Sequence, residues 1–127
     1  TLNDMTRIVS DRIAELINIK INRVGGLTRA ARIRDLALAH GIGISVMPTG
    51  GTVLADTDAI QFAQTIPAPY RLRVWSCQDM ITVDPAPGRG ARVKDGLLAA
   101  PEAPGLGVAP DEQWLGEPVA FYSLNRT

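Results

Sequence analysis

Three short strand patterns, separated by segments of helical length, constrain the fold of this chain more than any other feature. Residues 17–22 alternate strictly between isoleucine and a polar side chain, and this period of two predicts a strand. Further strands are predicted over 42–47, over 72–75 and, near the end, over 119–122. Strands that alternate with helices pair in parallel through right-handed crossovers, so the sequence predicts an α/β fold with a parallel sheet.

Helices are predicted in three segments that flank these strands. Apolar residues recur at helical spacing over 2–15, 28–40 and 53–65. Thr1, with an acid three positions later, resembles a helix N-cap, and Pro67 prevents the third helix from continuing. Because a helix comes before the first strand, we expect another strand before residue 1.

The direction of the side chains in the first strand distinguishes between two kinds of sheet. Its isoleucines would pack against helices, whereas its polar residues would point to the opposite face; these polar residues are Asn18, Lys20 and Asn22. A sheet covered by helices on both faces tolerates such a polar face poorly. In a TIM-type barrel the same face lines the interior, whose top is the active site. Since a barrel needs about eight strands, the sequence predicts part of a barrel.

The charge balance narrows the classes of partner. Basic and acidic side chains number 13 each and the net charge is zero, whereas nucleic acids and anionic membranes are bound by clustered Lys and Arg. We therefore expect a small molecule or a protein as the partner.

No apolar run approaches the roughly 20 residues of a membrane-spanning helix, and no secretory signal opens the chain, so a cytoplasmic location is expected. Cys77 is the only cysteine, which excludes an intrachain disulfide and a cysteine metal cluster.

The first predicted strand and the Gly-Gly loop after it carry a resemblance to a known family. Residues 17–30 resemble the sixth barrel strand and following loop of the mandelate racemase/muconate lactonizing branch of the enolase superfamily. In that family a Lys or Asp precedes the Gly-Gly pair by a fixed interval, and Lys20 stands at this position. Residues 36–42 and 104–108 are also similar to the family. The resemblance covers nearly the whole chain, but only the second half of the family's domain.

The resemblance implies a division of the chain and a set of partners. Residues 1–80 would form the C-terminal half of the TIM-barrel domain, with strands six to eight. Residues 81–127 would form a barrel-closing loop and a tail that packs toward the family's capping domain. The implied partners are the N-terminal half of the same enzyme, a small-molecule carboxylate substrate and further copies of the chain in a homo-oligomer.

Two positions indicate the subgroup. Mandelate racemases have Asp on the sixth strand and His on the seventh, whereas the matching positions here look like Lys20 and Met47. His40, the sole histidine, falls at the end of a helix and cannot substitute. The chain is therefore similar to the lysine-type muconate lactonizing subgroup. That subgroup includes cycloisomerases, dipeptide epimerases and amino-acid racemases, with related enzymes that act on proline-derived betaines and hydroxyprolines.

The resemblance also implies a reaction. Lys20 would be the acid/base that removes the proton α to a carboxylate, which creates an enediolate stabilised by a divalent cation such as Mg²⁺. The family's three carboxylate metal ligands and its second lysine belong to strands before residue 1, so no metal ligand is expected in this segment. The alternative for Lys20 is a strand-end lysine whose ammonium simply reaches solvent.

Substrate contacts are expected from the loops that follow the predicted strands. The turn over 49–52 lies between a strand and a helix, where backbone N–H groups can bind an anion, although a plain turn is equally consistent with the sequence. Asp79 stands where related epimerases bind a substrate ammonium with carboxylates, and the alternative is an Asp that is buried or caps a loop. The predicted substrate-binding residues are Asn22, Met47, Thr49, Gly50, Cys77 and Asp79.

The reaction expected from these features is racemisation or epimerisation of an amino acid or a proline-like substrate. Elimination of water from a hydroxyproline or an acid sugar, and cycloisomerisation, share the enediolate step and stay open. A non-catalytic fragment or assembly module is the alternative from another class. The segment before residue 1 would distinguish an enzyme from a non-catalytic module, because a Lys-x-Lys sequence and three strand-end carboxylates there would support catalysis.

Overall fold

A three-stranded parallel sheet with helices packed against it forms the centre of the fold. The computed structural model describes residues 1–122. Its elements in chain order are α1 (Leu2–Asp11), β1 (Leu16–Ile19), α2 (Ile21–Val24), α3 (Leu27–Ala39), β2 (Gly43–Val46), α4 (Val53–Gln64), β3 (Arg71–Val74), β4 (Val93–Lys94) and β5 (Leu97–Leu98), with short 3₁₀ helices at Gln78–Met80 and Glu112–Trp114. None of these helices is long and apolar enough to cross a membrane.

The strand order in the sheet is β1-β2-β3, and both pairings are parallel, as predicted. Ile19 of β1 lies opposite Val46 of β2, which in turn lies opposite Val74 of β3. This register places the carboxyl ends of all three strands at one edge of the sheet. The loops that follow the strands therefore meet there.

The two faces of the sheet differ in what covers them. Ile19, Ile44 and Val46 belong to the core and are at most 1% exposed, because helices α3 and α4 pack against the sheet and α1 packs on α3. On the other face, Leu16 and Leu72 are 55% and 52% exposed. Within β1, buried Ile19 is separated from exposed Asn18 as the alternation predicts; the second face is open at Leu16 and Leu72 in the outer strands, whereas Ser45 in the central strand is 5% exposed.

Several predicted boundaries are wrong by a few residues. The first predicted strand ends at Ile19, because the N–H groups of Arg23 and Val24 both donate to the Lys20 carbonyl and turn the chain into α2. Asn22 therefore lies in α2 and does not continue the alternation of β1. The helix predicted over 2–15 ends at Asp11, where the next residue adopts a left-handed conformation. Its predicted N-cap is confirmed.

Two short strand assignments in the last third differ from the prediction. Residues 119–122 form no strand and are exposed, so no neighbouring strand pairs with them in the described part of the chain. The antiparallel hairpin of β4 and β5 was not predicted. Its turn is Asp95-Gly96, with φ of 52° and 75°, and Asp-Gly is the dipeptide that favours a two-residue hairpin turn.

Candidate active site

The residues that follow the three parallel strands lie side by side at the carboxyl edge of the sheet. Lys20 directly follows β1 with an extended backbone (φ −106°, ψ 106°). The backbone N–H of Met47 donates to the Ile19 carbonyl at 3.1 Å, and that of Trp75 donates to the Val46 carbonyl at 2.9 Å. Lys20, Met47 and Trp75 are therefore neighbours at the edge where parallel α/β sheets bind their ligands.

Lys20 points to the face of the sheet that the helices leave uncovered. Its neighbour Ile19 is 1% exposed on the helix side, and the alternation of a strand directs the next side chain to the opposite side. Lys20 is half-buried, and no carboxylate among residues 1–122 forms an ion pair with it. The ammonium can therefore meet a group that approaches from the open face.

Two of the predicted substrate-binding residues contact each other beside this edge. The hydroxyl of Thr49, in the loop after β2, donates a hydrogen bond to the side-chain oxygen of Asn22, in the helix after β1. Gly50, next to Thr49, is exposed and has a φ of 60°, which favours glycine. Thr52 then caps α4 by accepting from the Leu54 N–H at 3.2 Å. The loops after β1 and β2 thus form one polar wall.

The other two predicted residues, Cys77 and Asp79, lie in the segment that follows β3. Cys77 is 8% exposed, so its thiol is buried, whereas Asp79 is exposed. Their roles in substrate binding stay predictions, and the geometry favours Asp79 because it is accessible. We call residues 75–79 the post-β3 segment.

A buried carboxylate that the sequence analysis missed holds the post-β3 segment. Asp56 of α4 is completely buried and accepts hydrogen bonds from the Ser76 hydroxyl at 2.7 Å, from the Cys77 N–H at 3.0 Å and from the Gln78 N–H at 3.0 Å. The Gln78 side-chain amide donates to the same carboxylate at 2.9 Å. The available signal was an acidic residue at a core-facing position, three residues after buried Val53.

Thr57 extends this buried polar contact to the loop before β4. Its hydroxyl donates to the Val53 carbonyl at 2.6 Å and accepts from the Ala91 N–H at 2.9 Å. The Gln78 side chain also donates to the Ala91 carbonyl at 3.1 Å. Helix α4, the post-β3 segment and the loop around residue 91 are therefore joined through hydrogen bonds.

Trp75 is the second residue of the edge that the sequence analysis missed. It is 46% exposed, and the Arg73 guanidinium carbon lies 4.8 Å from the centre of its ring system. The signal available in the sequence was a tryptophan at the end of the third predicted strand, since aromatic faces bind cations and apolar groups. Trp75 thus adds an aromatic surface next to Met47.

An ion pair fastens the loop beyond this segment. Arg92 and Asp84 lie 2.7 Å apart, and Arg92 also donates to the Ala86 carbonyl. Desolvation raises the pKa of Asp84, but the hydrogen bond from the Ala86 N–H and the ion pair with Arg92 lower it more, so the net pKa is below its ordinary value. The ion pair therefore closes this loop next to Ala91, whose N–H donates to Thr57 of α4.

The described part of the chain does not itself offer a metal site. Among residues 1–122, no three His, Cys, Asp or Glu side chains are grouped to hold a metal ion. Mg²⁺ binds several oxygen ligands in near-octahedral geometry, and such a set is not present at this edge.

Comparison with known proteins identifies the family. Residues 1–114 match the family model described as enolase C-terminal domain-like. The chain is 36% identical over 121 residues to the cis-3-hydroxy-L-proline dehydratase of Roseibium aggregatum, which covers 95% of this chain and 33% of that protein. It is 31% identical over 114 residues to the o-succinylbenzoate synthase of Bacillus subtilis, covering 85% and 29% of the two proteins. The chain thus spans about a third of the length of these relatives.

Solved structures agree with this match. A protein from Silicibacter pomeroyi assigned to the mandelate racemase/muconate lactonizing enzymes superposes with a TM-score of 0.91 at 60% identity, over 97% of this chain and 34% of that one. An enolase superfamily member from Roseovarius nubinhibens, in complex with magnesium, superposes with a TM-score of 0.90 at 46% identity, over 96% and 33%. This chain therefore belongs to the enolase superfamily, in its mandelate racemase/muconate lactonizing branch, and forms the C-terminal part of that superfamily's barrel domain.

Proposed function

We propose that this chain is part of an enzyme that removes the proton α to the carboxylate of an amino acid or a proline-like compound, with Lys20 as the base. The observation that carries the proposal is the position of Lys20, at the carboxyl edge of the sheet and directed to its open face. A lysine in its neutral form can accept the α-proton, and in its protonated form can return one. Return of the proton on the opposite face would need a second acid, outside residues 1–122.

The other residues of the edge have proposed roles in holding the substrate. The Asn22 side-chain oxygen accepts from Thr49, which leaves the Asn22 amide N–H groups to donate to a carboxylate, and exposed Gly50 next to Thr49 leaves the backbone accessible. Met47 and Trp75 provide apolar and aromatic surface for the carbon skeleton. Asp79, being exposed, can bind the positively charged nitrogen. The Mg²⁺ expected for the superfamily would be bound by carboxylates outside this chain's described residues.

Racemisation or epimerisation is the first outcome that we propose, since proton removal and return need no leaving group. Dehydration is a second candidate, favoured by the 36% identity to a cis-3-hydroxy-L-proline dehydratase. In that reaction the α-proton and a β-hydroxyl leave together as one water, and a carbon–carbon double bond forms next to the carboxylate. The two reactions share proton removal. Dehydration also needs a β-hydroxyl on the substrate and an acid that protonates this hydroxyl as it leaves.

The experiment that tests the proposal is α-proton exchange by the complete enzyme in D₂O with Mg²⁺. The panel would contain both stereoisomers of proline, proline betaine and cis-3-hydroxyproline, followed by NMR. Deuterium at Cα with inversion would support the epimerase, and loss of the β-hydroxyl would support the dehydratase. Absence of exchange and of elimination across amino acids, betaines and other carboxylates would favour the non-catalytic module instead.

A further inference from the structure

The buried carboxylate of Asp56 is the feature of the structure that the proposed reaction does not yet use. A carboxylate that is completely buried is costly unless hydrogen bonds replace its hydration. No Lys or Arg among residues 1–122 forms an ion pair with Asp56. Hydrogen bonds therefore compensate it, and every donor belongs to Ser76, Cys77 or Gln78.

These three consecutive donors lie between Trp75, at the carboxyl edge of the sheet, and the exposed Asp79. Trp75 comes directly before Ser76 and is held to β2 by its backbone N–H. Asp79 comes directly after Gln78 and is exposed. The Asp56 carboxylate therefore fixes the path of the main chain between Trp75 and Asp79. Two of its bonds are to backbone N–H groups, so they constrain the main chain itself.

We propose that Asp56 is a positioning residue for substrate binding: it holds the post-β3 segment so that Trp75 and Asp79 present their side chains to the substrate. This inference rests on the proposed function. Lys20 follows β1, two strands away from β3, so the segment bears on how the substrate is held more than on proton transfer. The expected signature of losing Asp56 is a rise in KM with little change in kcat.

Thr57 offers a matched control in the same turn of α4. It is also completely buried and forms hydrogen bonds, but they hold the Ala91 N–H instead of the backbone of the post-β3 segment. Thr57→Val keeps the side-chain volume and removes those bonds. If the substitutions only loosen α4, Asp56→Asn and Thr57→Val should raise KM equally. If Asp56 positions the post-β3 segment, only Asp56→Asn should raise KM.

The test uses the complete enzyme and two independent measurements. The first is hydrogen–deuterium exchange of the backbone amides over 76–78, which reports on the segment without any activity. The second is KM and kcat for α-proton exchange. Because hydrogen bonds to charged groups contribute more than ordinary ones, Asp56→Asn should speed amide exchange and raise KM by about tenfold or more, with kcat within about threefold. Thr57→Val should leave KM unchanged.

Each outcome decides the proposal. Equal changes in KM for Asp56→Asn and Thr57→Val, or a fall confined to kcat, would overturn the positioning role. If Asp56→Asn does not fold, Ser76→Ala removes one donor from the same carboxylate and should raise KM by about threefold; an unchanged KM would then contradict the inference. If the wild-type enzyme exchanges no α-proton, both the proposed function and the role of Asp56 in substrate binding are wrong. Faster amide exchange over residues 76–78 in Asp56→Asn would then still show that Asp56 holds the post-β3 segment.

Discussion

At the scale of single residues, the position of Lys20 matters more than its chemical type. The chain has one other lysine, Lys94, which lies exposed in β4. Lys20 instead is half-buried at the carboxyl edge of the sheet, at the end of the outer strand β1, and the loop that carries Thr49 lies between it and Trp75. The same amino acid at two places in one fold therefore has one solvent-facing role and one proposed catalytic role.

Substitution of Lys20 gives the first prediction. In the complete enzyme, Lys20→Ala should lower α-proton exchange by about 10²- to 10⁴-fold, the range that a positioned base contributes. Lys94→Ala should keep the wild-type rate, since that side chain is exposed in the β4–β5 hairpin, which is separate from the parallel sheet. The measurement is deuterium incorporation at Cα, by NMR, from each stereoisomer. A near wild-type rate for Lys20→Ala with both stereoisomers would mean that Lys20 is only a solvated strand-end lysine.

Asp58 gives a prediction about pH. Burial raises the pKa of its carboxyl above the ordinary 3.8. The folded state therefore binds this proton more tightly than the unfolded state does. The protonated carboxyl contributes stability that is fully present below pH 3.8, and this contribution is lost as the pH rises through the pKa of the folded state. Asp58→Asn should be more stable than wild type at pH 7, by less than about 1 kcal/mol because the side chain is only partly buried. Thermal unfolding at pH 7 and near pH 4 should show the gain shrinking; a constant difference would contradict this.

At the scale of elements, helix α4 connects the core to the site. Its buried side includes Val53, Asp56, Thr57 and Ile60, which recur at helical spacing. The apolar members pack in the protein interior, whereas the two polar members hold the post-β3 segment and the loop at Ala91. One helix face thus provides both packing and the hydrogen bonds that place two loops.

Close approach of the chain to α4 gives a prediction at Gly90. Its φ is 74°, and a Cβ there would lie 2.9 Å from the Thr57 hydroxyl oxygen and 3.0 Å from a Val53 methyl. Gly88 has a φ of 69° and no atom within 4 Å of such a Cβ, so it shares the strain of the left-handed conformation without the clash. We expect Gly90→Ala to lower the free energy of unfolding by about 1–3 kcal/mol more than Gly88→Ala. Urea unfolding of both variants of the complete enzyme measures the difference, and equal losses would show that the loop adapts.

At the scale of the whole molecule, residues 1–122 show the features of a part that needs its complement. Leu16 and Leu72 are more than half exposed on the open face, and Trp75 is 46% exposed. The hydroxyl of Ser45 is buried without a hydrogen-bond partner among the described residues. The outer edge of β1 is also unpaired within this part of the chain, and unpaired strand edges favour aggregation.

We therefore predict that the 127-residue chain by itself does not fold stably. Without the other strands of a barrel, the open face loses the apolar contacts that would offset the entropy of ordering the chain. Circular dichroism during heating should show no cooperative transition in the isolated monomer. Addition of the complementary part of the enzyme should restore one. A sharp transition for the monomer alone would contradict the prediction.

The sequence by itself determined the order of the large elements, because periods of two and of 3.6 residues reflect local geometry that each segment carries within itself. It also indicated that Lys20 lies at the carboxyl edge of the first strand, although that strand ends one residue earlier, and the similarity to the enolase superfamily is confirmed. The ends of elements were less accurate, since a hydrogen bond such as that from Val24 to the Lys20 carbonyl is decided by one residue's backbone conformation.

Only the tertiary structure decided which distant residues meet. Asn22 and Thr49 are 27 positions apart, and Asp56 lies 20 positions before Ser76, so no local pattern relates them. They come together because parallel pairing brings the carboxyl ends of β1, β2 and β3 to one edge and packs the start of α4 beside the post-β3 segment. A buried acid such as Asp56 is identical in sequence to a solvated one; its role arises from the three-dimensional arrangement that removes water and supplies its hydrogen-bond donors.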